Sequence, residues 1–398
     1  MTASTAPCAT APANSLAVRH SHVRAQTEHL AQPLSAEDCQ AQSMPDAMPA
    51  SARLSERKPQ LIIVSPALAE ANNGNWQTAH RWQQMLAGQY AVRIVQHWPD
   101  GAAAGQDVCM LALHARRSAL SIAAWSQAVN STSRHLRPAN SGSAPGLAVV
   151  LTGTDLYRDI QTDAQAQQSL HLAQRLVVLQ ERAPEALPEA VRSKTTVIYQ
   201  SCSGRHSVPK TTGHLRAVMV GHLRDEKSPE TLFAAARLLS PQDRVLIDHI
   251  GLPLDPLLGA QAQATAAACP QYRWLGGQPH EATRKRIQRA HVLVHASRME
   301  GGAHVLMEAV RAGTPVLASR IAGNIGMLGA DYSGYFDWNN AEQLAQLLRR
   351  CRAGQVSGAH ADPLYAHLHA QCSQRALLFA PEAEQTALLN LVHSLNTI

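Results

Sequence analysis

Aromatic side chains are scarce in this chain of 398 residues, at 4%, and so is charge, at 16%. The charge lies below the about 25% usual for soluble domains, while hydrophobic residues reach 45%. The combination argues against a disordered protein, a disulfide scaffold and a coiled coil. Long hydrophobic runs are missing too, and no stretch of about 18 apolar residues exists to span a membrane. The first residues lack the apolar core of a secretory signal. The seven Cys (8, 39, 109, 202, 269, 351, 372) are scattered and odd in number. No Cys-x-x-Cys pair occurs, so neither a zinc site nor a disulfide framework is expected, and a reducing cytoplasm is the expected compartment. There is no Gly-x-Gly-x-x-Gly, no P-loop, no Gly-x-Ser-x-Gly elbow and no Asp-x-Asp, so neither a metal nor a dinucleotide cofactor is expected.

Lysine is also rare. Only Lys58, Lys194, Lys210, Lys227 and Lys285 occur, so arginine carries most of the formal charge of +6. In residues 1–58, Arg19, Arg24, Arg53, Arg57 and Lys58 balance Glu28, Glu37, Asp38, Asp46 and Glu56. The excess therefore belongs to the body, where it is dispersed. No long basic run interleaved with aromatics favours nucleic acid, and the balance suits phosphorylated small molecules instead.

What is present is alternation. Residues 1–58, rich in Ala, Ser, Thr, Gln and Pro, read as a disordered extension. Apolar runs at 61–65, 92–95, 108–113, 147–151, 176–179 and 197–199 then read as buried strands, with helix-compatible segments between most of them. After a polar linker over 201–214, strands are expected at 217–220, 245–250, 272–275, 292–295 and 316–318. Helices fit 76–87, 229–239, 257–268, 280–290, 304–312, 341–352 and 374–396. The pattern predicts an α/β chain of two similar units, over 59–205 and 206–372, with 373–398 as a closing helix. Each unit would carry a parallel sheet, and ligands bind beyond the carboxyl ends of such strands.

Four loops at those ends carry polar residues suited to chemistry. Glu300-Gly-Gly-Ala-His-Val-Leu-Met-Glu308 follows a strand and opens a helix, so Gly301, Gly302 and Ala303 offer amides to a polar ligand. A cap at Glu300 and a solvated Glu308 are the plain alternative. Val220-Gly-His-Leu-Arg-Asp-Glu-Lys-Ser-Pro229 places Arg224 and Lys227 three apart, as a clamp for one diphosphate or as a solvated turn. Ser228 and Pro229 fit a helix N-cap and first residue. Leu151-Thr-Gly-Thr-Asp-Leu-Tyr-Arg158 brings Thr154 and Asp155 to bind hydroxyls or phosphate, or simply forms a capped turn. Asn72-Asn-Gly-Asn75 sits equivalently and offers Gly74 and its neighbours to an anion, or forms an Asn-Gly turn.

The Glu-x7-Glu pattern at 300 and 308, the Gly-x-x-Arg-x-x-Lys arrangement at 221–227 and the Glu-Ala-x-x-x-Gly-x-Pro-Val run at 308–316 resemble retaining-type glycosyltransferases of family four. That resemblance implies the GT-B fold, two facing Rossmann-like domains with an inter-domain cleft and a last helix returning to the first domain. It implies a nucleotide-sugar donor on the second domain. Arg224 and Lys227 would hold its diphosphate and act with Glu300 in catalysis. Glu308 would hold the ribose, and Gly221, His222, Gly276 and the 301–303 amides would complete the donor site. Ala303 stands where the family often has Gly.

The segments Leu61-Ile-Ile-Val-Ser-Pro-Ala67, Asn73-Gly-Asn-Trp-Gln-Thr-Ala-His-Arg-Trp82, Leu151–Tyr157 and Val220–Lys227 are similar to the selenosugar synthases of selenoneine biosynthesis. That similarity implies UDP-N-acetylglucosamine and selenophosphate as substrates. Asn73, Gly74, Asn75, Thr154 and Asp155 would then face the acceptor. Competing readings are a glycosyltransferase for a lipid, glycan or small-molecule acceptor and a sugar-nucleotide epimerase using His222 or His304.

Overall fold

The computed structural model describes residues 58–71, 74–132, 145–355 and 361–396. Apart from Lys58, the expected extension lies outside them, and so does Asn73. The described residues form one compact unit, built on two six-stranded sheets.

The first sheet holds β1 (Gln60–Val64), β2 (Ala91–Val95), β3 (Asp107–Leu113), β4 (Gly146–Leu151), β5 (Arg175–Val178) and β6 (Thr195–Val197), in the order β2-β1-β3-β4-β5-β6. The second holds β7 (Leu215–Val220), β8 (Val245–Ile250), β9 (Tyr272–Trp274), β10 (Val292–His295), β11 (Val316–Ser319) and β12 (Tyr335–Phe336), in the order β12-β11-β10-β7-β8-β9. Every pairing is parallel. Helices therefore cover both faces, which is why β1 reads as an unbroken apolar run. Ile62, Val64, Met110 and Val149 pack into the core on one face of the sheet. Leu61, Ile63, Leu111 and Val150 pack into the core on the other.

In each sheet the strand order reverses beside the first strand, between β1 and β3 and between β7 and β10. A crevice opens beyond the strands at such a reversal. The chain continues there into Gly74–Leu86 after β1, His114 after β3, residues 221–227 after β7 and residues 296–302 after β10.

Several elements differ from expectation. The last strand of the first sheet is Thr195–Val197, not 197–199. The strand Tyr335–Phe336 and the helix Ala322–Leu328 carry too few apolar residues, or too many glycines, to announce themselves. The expected 374–396 helix is two, Leu364–Arg375 and Pro381–Asn396, joined by a 3-10 turn over Ala376–Phe379. Pro381 explains the break, because its ring clashes with the preceding turn while suiting the first turn of a new helix. That final helix lays Leu388, Leu391, Val392 and Leu395 into the first sheet's core. No helix of the described residues is long and apolar enough to cross a membrane.

Candidate functional site

One cleft of about 1090 Å³ is lined by loops from the carboxyl ends of both sheets, slightly above the about 300–1,000 Å³ of most ligand pockets. On the first-sheet side, Gly74 and Asn75 form the first turn of the Gly74–Leu86 helix rather than a loop before it. Gly74, Thr78 and Arg81 recur at one helical face, and all three line the cleft. Thr154 and Gly153 join them from the loop after β4.

The second-sheet wall contributes Gly221, His222, Arg224, Lys227, Glu300, Gly301, Gly302, His304 and Glu308. Lys227 Nζ donates to Glu300 Oε1 at 2.5 Å, and His295 Nε2 lies 3.4 Å from the same oxygen. Burial alone would raise the Glu300 pKa, but the Lys227 charge and His295 outweigh it and hold the carboxyl well below the usual range. Arg224 is half-exposed, with its Nε 3.9 Å from Glu226 Oε2. His222 Nδ1 accepts from the Leu252 amide at 3.1 Å. Burial lowers its pKa, and Arg224 and Lys227 lower it further.

Glu308 is not solvated. It is 5% exposed and takes His280 Nε2 at 2.6 Å, with Arg284 Nε and His304 Nε2 each at 3.7 Å. Burial pushes His304 down to about 4, against the pull of Glu308. Glu300 is no cap either, because Ala303 is the residue that precedes the His304–Arg311 helix.

Three expected ligand-binding residues do not face the cleft. Asp155 is fully buried, and its carboxylate accepts from the amides of Thr152 and Gly153 at 2.9 Å and of Ala115 at 3.1 Å. It shapes the loop that presents Thr154 and is absent from the cleft lining. Ala303 is 3% exposed, and its amide, expected to be open to ligand, donates to Met327 Sδ at 3.2 Å. Gly276 stands in a left-handed turn at φ 64° and its carbonyl takes the Gly251 amide, leaving Gly277 at the wall. Ser228 does precede the Pro229–Leu238 helix, yet its hydroxyl accepts from Trp338 Nε1 instead of capping.

Sequence reasoning missed Arg81, His114, Arg117, Gln200 and His280, all on the cleft wall. His114 was findable, since it ends β3 at the switch point. It sits at φ 73°, 2% exposed, with Thr154 Oγ1 3.4 Å from its Nε2. Burial lowers its pKa, with Asp155 opposing. Among the described residues no cluster of three or more His, Cys, Asp or Glu suits a metal ion.

The two walls touch through backbone. A Cβ built on Gly301 would lie 2.5 Å from the Thr152 carbonyl oxygen and 2.7 Å from Gly153 Cα. Gly153 itself sits at φ 145°, a conformation side chains disfavour.

Residues 203–357 match the family model of the glycosyl transferases group 1. No protein of curated function matches the sequence. Among solved structures, HepE from Anabaena, in complex with UDP and glucose, superposes with a TM-score of 0.62 at 14% identity, covering 84% of this chain and all of that one. Sucrose-phosphate synthase from Thermosynechococcus elongatus gives 0.61 at 16% identity, over 85% of this chain and 99% of that one. TarM from S. aureus gives 0.51 at 13% identity over 71% of this chain, which spans only 55% of TarM. The fold is GT-B, two facing Rossmann-like halves around a cleft.

Proposed function

We propose that the chain transfers N-acetylglucosamine from its UDP derivative to the selenium of selenophosphate. The supporting observation is the pairing of Lys227 with Glu300, beside Arg224 and within the cleft that also holds Glu308. Lys227 and Arg224 supply positive charge where a departing UDP gains negative charge, and such stabilisation is the main catalytic term when a leaving group is anionic. Glu308, fixed by His280, is the ribose acceptor, and the Gly301 and Gly302 amides face the sugar. In the reaction a C–Se bond forms as the anomeric C–O bond breaks to release UDP. Water then cleaves the P–Se bond, giving phosphate and a 1-seleno sugar. Selenophosphate arrives anionic, so it requires no general base. The choice of this acceptor rests on the first-half segments at 61–67, 73–82 and 151–157, and Gly74, Asn75 and Thr154 are the residues assigned to it.

Incubation of the purified protein with UDP-N-acetylglucosamine and selenophosphate, followed by mass spectrometry, should yield a seleno sugar and UDP. Lys227→Met should slow UDP release by about 100-fold. UDP release independent of selenophosphate would remove the acceptor assignment and leave the donor assignment standing.

A further inference from the structure

Arg81 is the cation of the first-sheet wall most firmly built into the protein. Its Nε and Nη2 donate to Glu384 Oε2 and Oε1 at 2.9 and 3.0 Å, a bidentate pair. The side chain is only 19% exposed, while that of Glu384 is fully buried. The Glu384 carboxylate is further held by Trp82 Nε1 at 2.7 Å and by the Ser201 amide and hydroxyl at 2.8 and 2.5 Å. A surface ion pair has no need of such a frame. The remaining nitrogen, Nη1, has no protein hydrogen-bond partner among the described residues, and the residue lines the cleft. Arg81 shares the cleft with His304 of the opposite wall, and its charge adds to the burial that lowers the pKa of that ring.

We infer that Arg81 binds a phosphate-class oxyanion in the cleft through its Nη1 edge, and that Glu384 is the positioning residue that aims it. This deepens the reading above, on which it rests for the identity of the oxyanion as the acceptor. The arrangement leaves one donor edge of a planar fork free and locks the other, so the cation reaches the ligand without loss of side-chain freedom on binding. It also ties the acceptor wall to the final helix and to Ser201, at the crossing between the sheets.

The test is calorimetric titration of inorganic phosphate into the UDP-saturated full chain, with UDP titrated separately. Arg81→Gln leaves Glu384 with its three donors from Trp82 and Ser201, so the fold should persist. It should weaken phosphate binding by tenfold or more while UDP affinity stays within twofold. Arg81→Lys should recover part of the loss. Glu384→Gln, which keeps the shape but removes the charge, should weaken phosphate binding and spare UDP, a split that a purely structural role would not produce. Phosphate binding by Arg81→Gln equal to that of the unaltered chain would overturn the inference, as would an unaltered chain that binds UDP but no phosphate. A chain that fails to bind UDP would instead remove the donor reading, and phosphate titrated without UDP would then decide on Arg81 alone.

Discussion

Glu300 and Lys227 neutralise each other across 2.5 Å, so each limits what the other offers a ligand. The Glu300 carboxylate competes with a diphosphate for the same ammonium. Glu300→Gln should therefore tighten UDP binding severalfold in calorimetry while turnover falls by about 100-fold, because a group aimed at the sugar is lost. Tight UDP binding combined with unchanged turnover would show that Glu300 does no more than hold Lys227. Residues at this scale were legible where spacing on one element carried them, as with Glu300 and Glu308 around one turn-and-helix. Their partners were not. His280 lies 28 residues from Glu308, and Glu384 lies 303 from Arg81. No local pattern links such pairs, and only the chain's path brings them together. Asp155 misled for the opposite reason, because an acidic residue in a loop looks alike whether it serves a ligand or three amides.

At the scale of elements, the final helix matters most. Leu388 and Leu395 on Pro381–Asn396 are fully buried against the first sheet. A Cβ on Gly146 would come within 2.6 Å of Leu395 Cβ, so the helix sits directly on the strand. Leu388→Ala should cost about 2–5 kcal/mol, read as a lowered midpoint in urea. Because the same helix carries Glu384, the variant should also disturb Arg81 before it disturbs Lys227. Long apolar runs and helices with clear periodicity were legible from composition alone. The two-residue strand Tyr335–Phe336 and the glycine-interrupted helix Ala322–Leu328 were not. Their stability comes from pairing and packing, not from their own pattern.

For the whole molecule, buried histidines set the response to acid. Burial pushes His249 down to about 3 and His291 to about 4, and His304 likewise to about 4. Below the unfolded value of about 6.5 the unfolded chain takes up protons that these folded rings refuse. Stability from this source is thus complete above about pH 6.5 and falls as the pH drops towards 4. Urea midpoints should decline over that window, earlier than carboxylate titration would dictate. His249→Gln, which removes the ring whose Nδ1 lies 2.9 Å from the Tyr272 hydroxyl, should flatten the decline.

The contact of Gly301 with Thr152 and Gly153 has a consequence for how the protein can vary. Where main chain meets main chain, no rotamer exists to absorb a change, so a side chain added at 301 acts as a shim between the jaws. The width of the mouth is a property of two bare backbones. A substitution at 301 should prop it open, whereas one at 153, whose Cβ would meet the Gly301 amide only at 3.4 Å, should act through its own backbone at φ 145°.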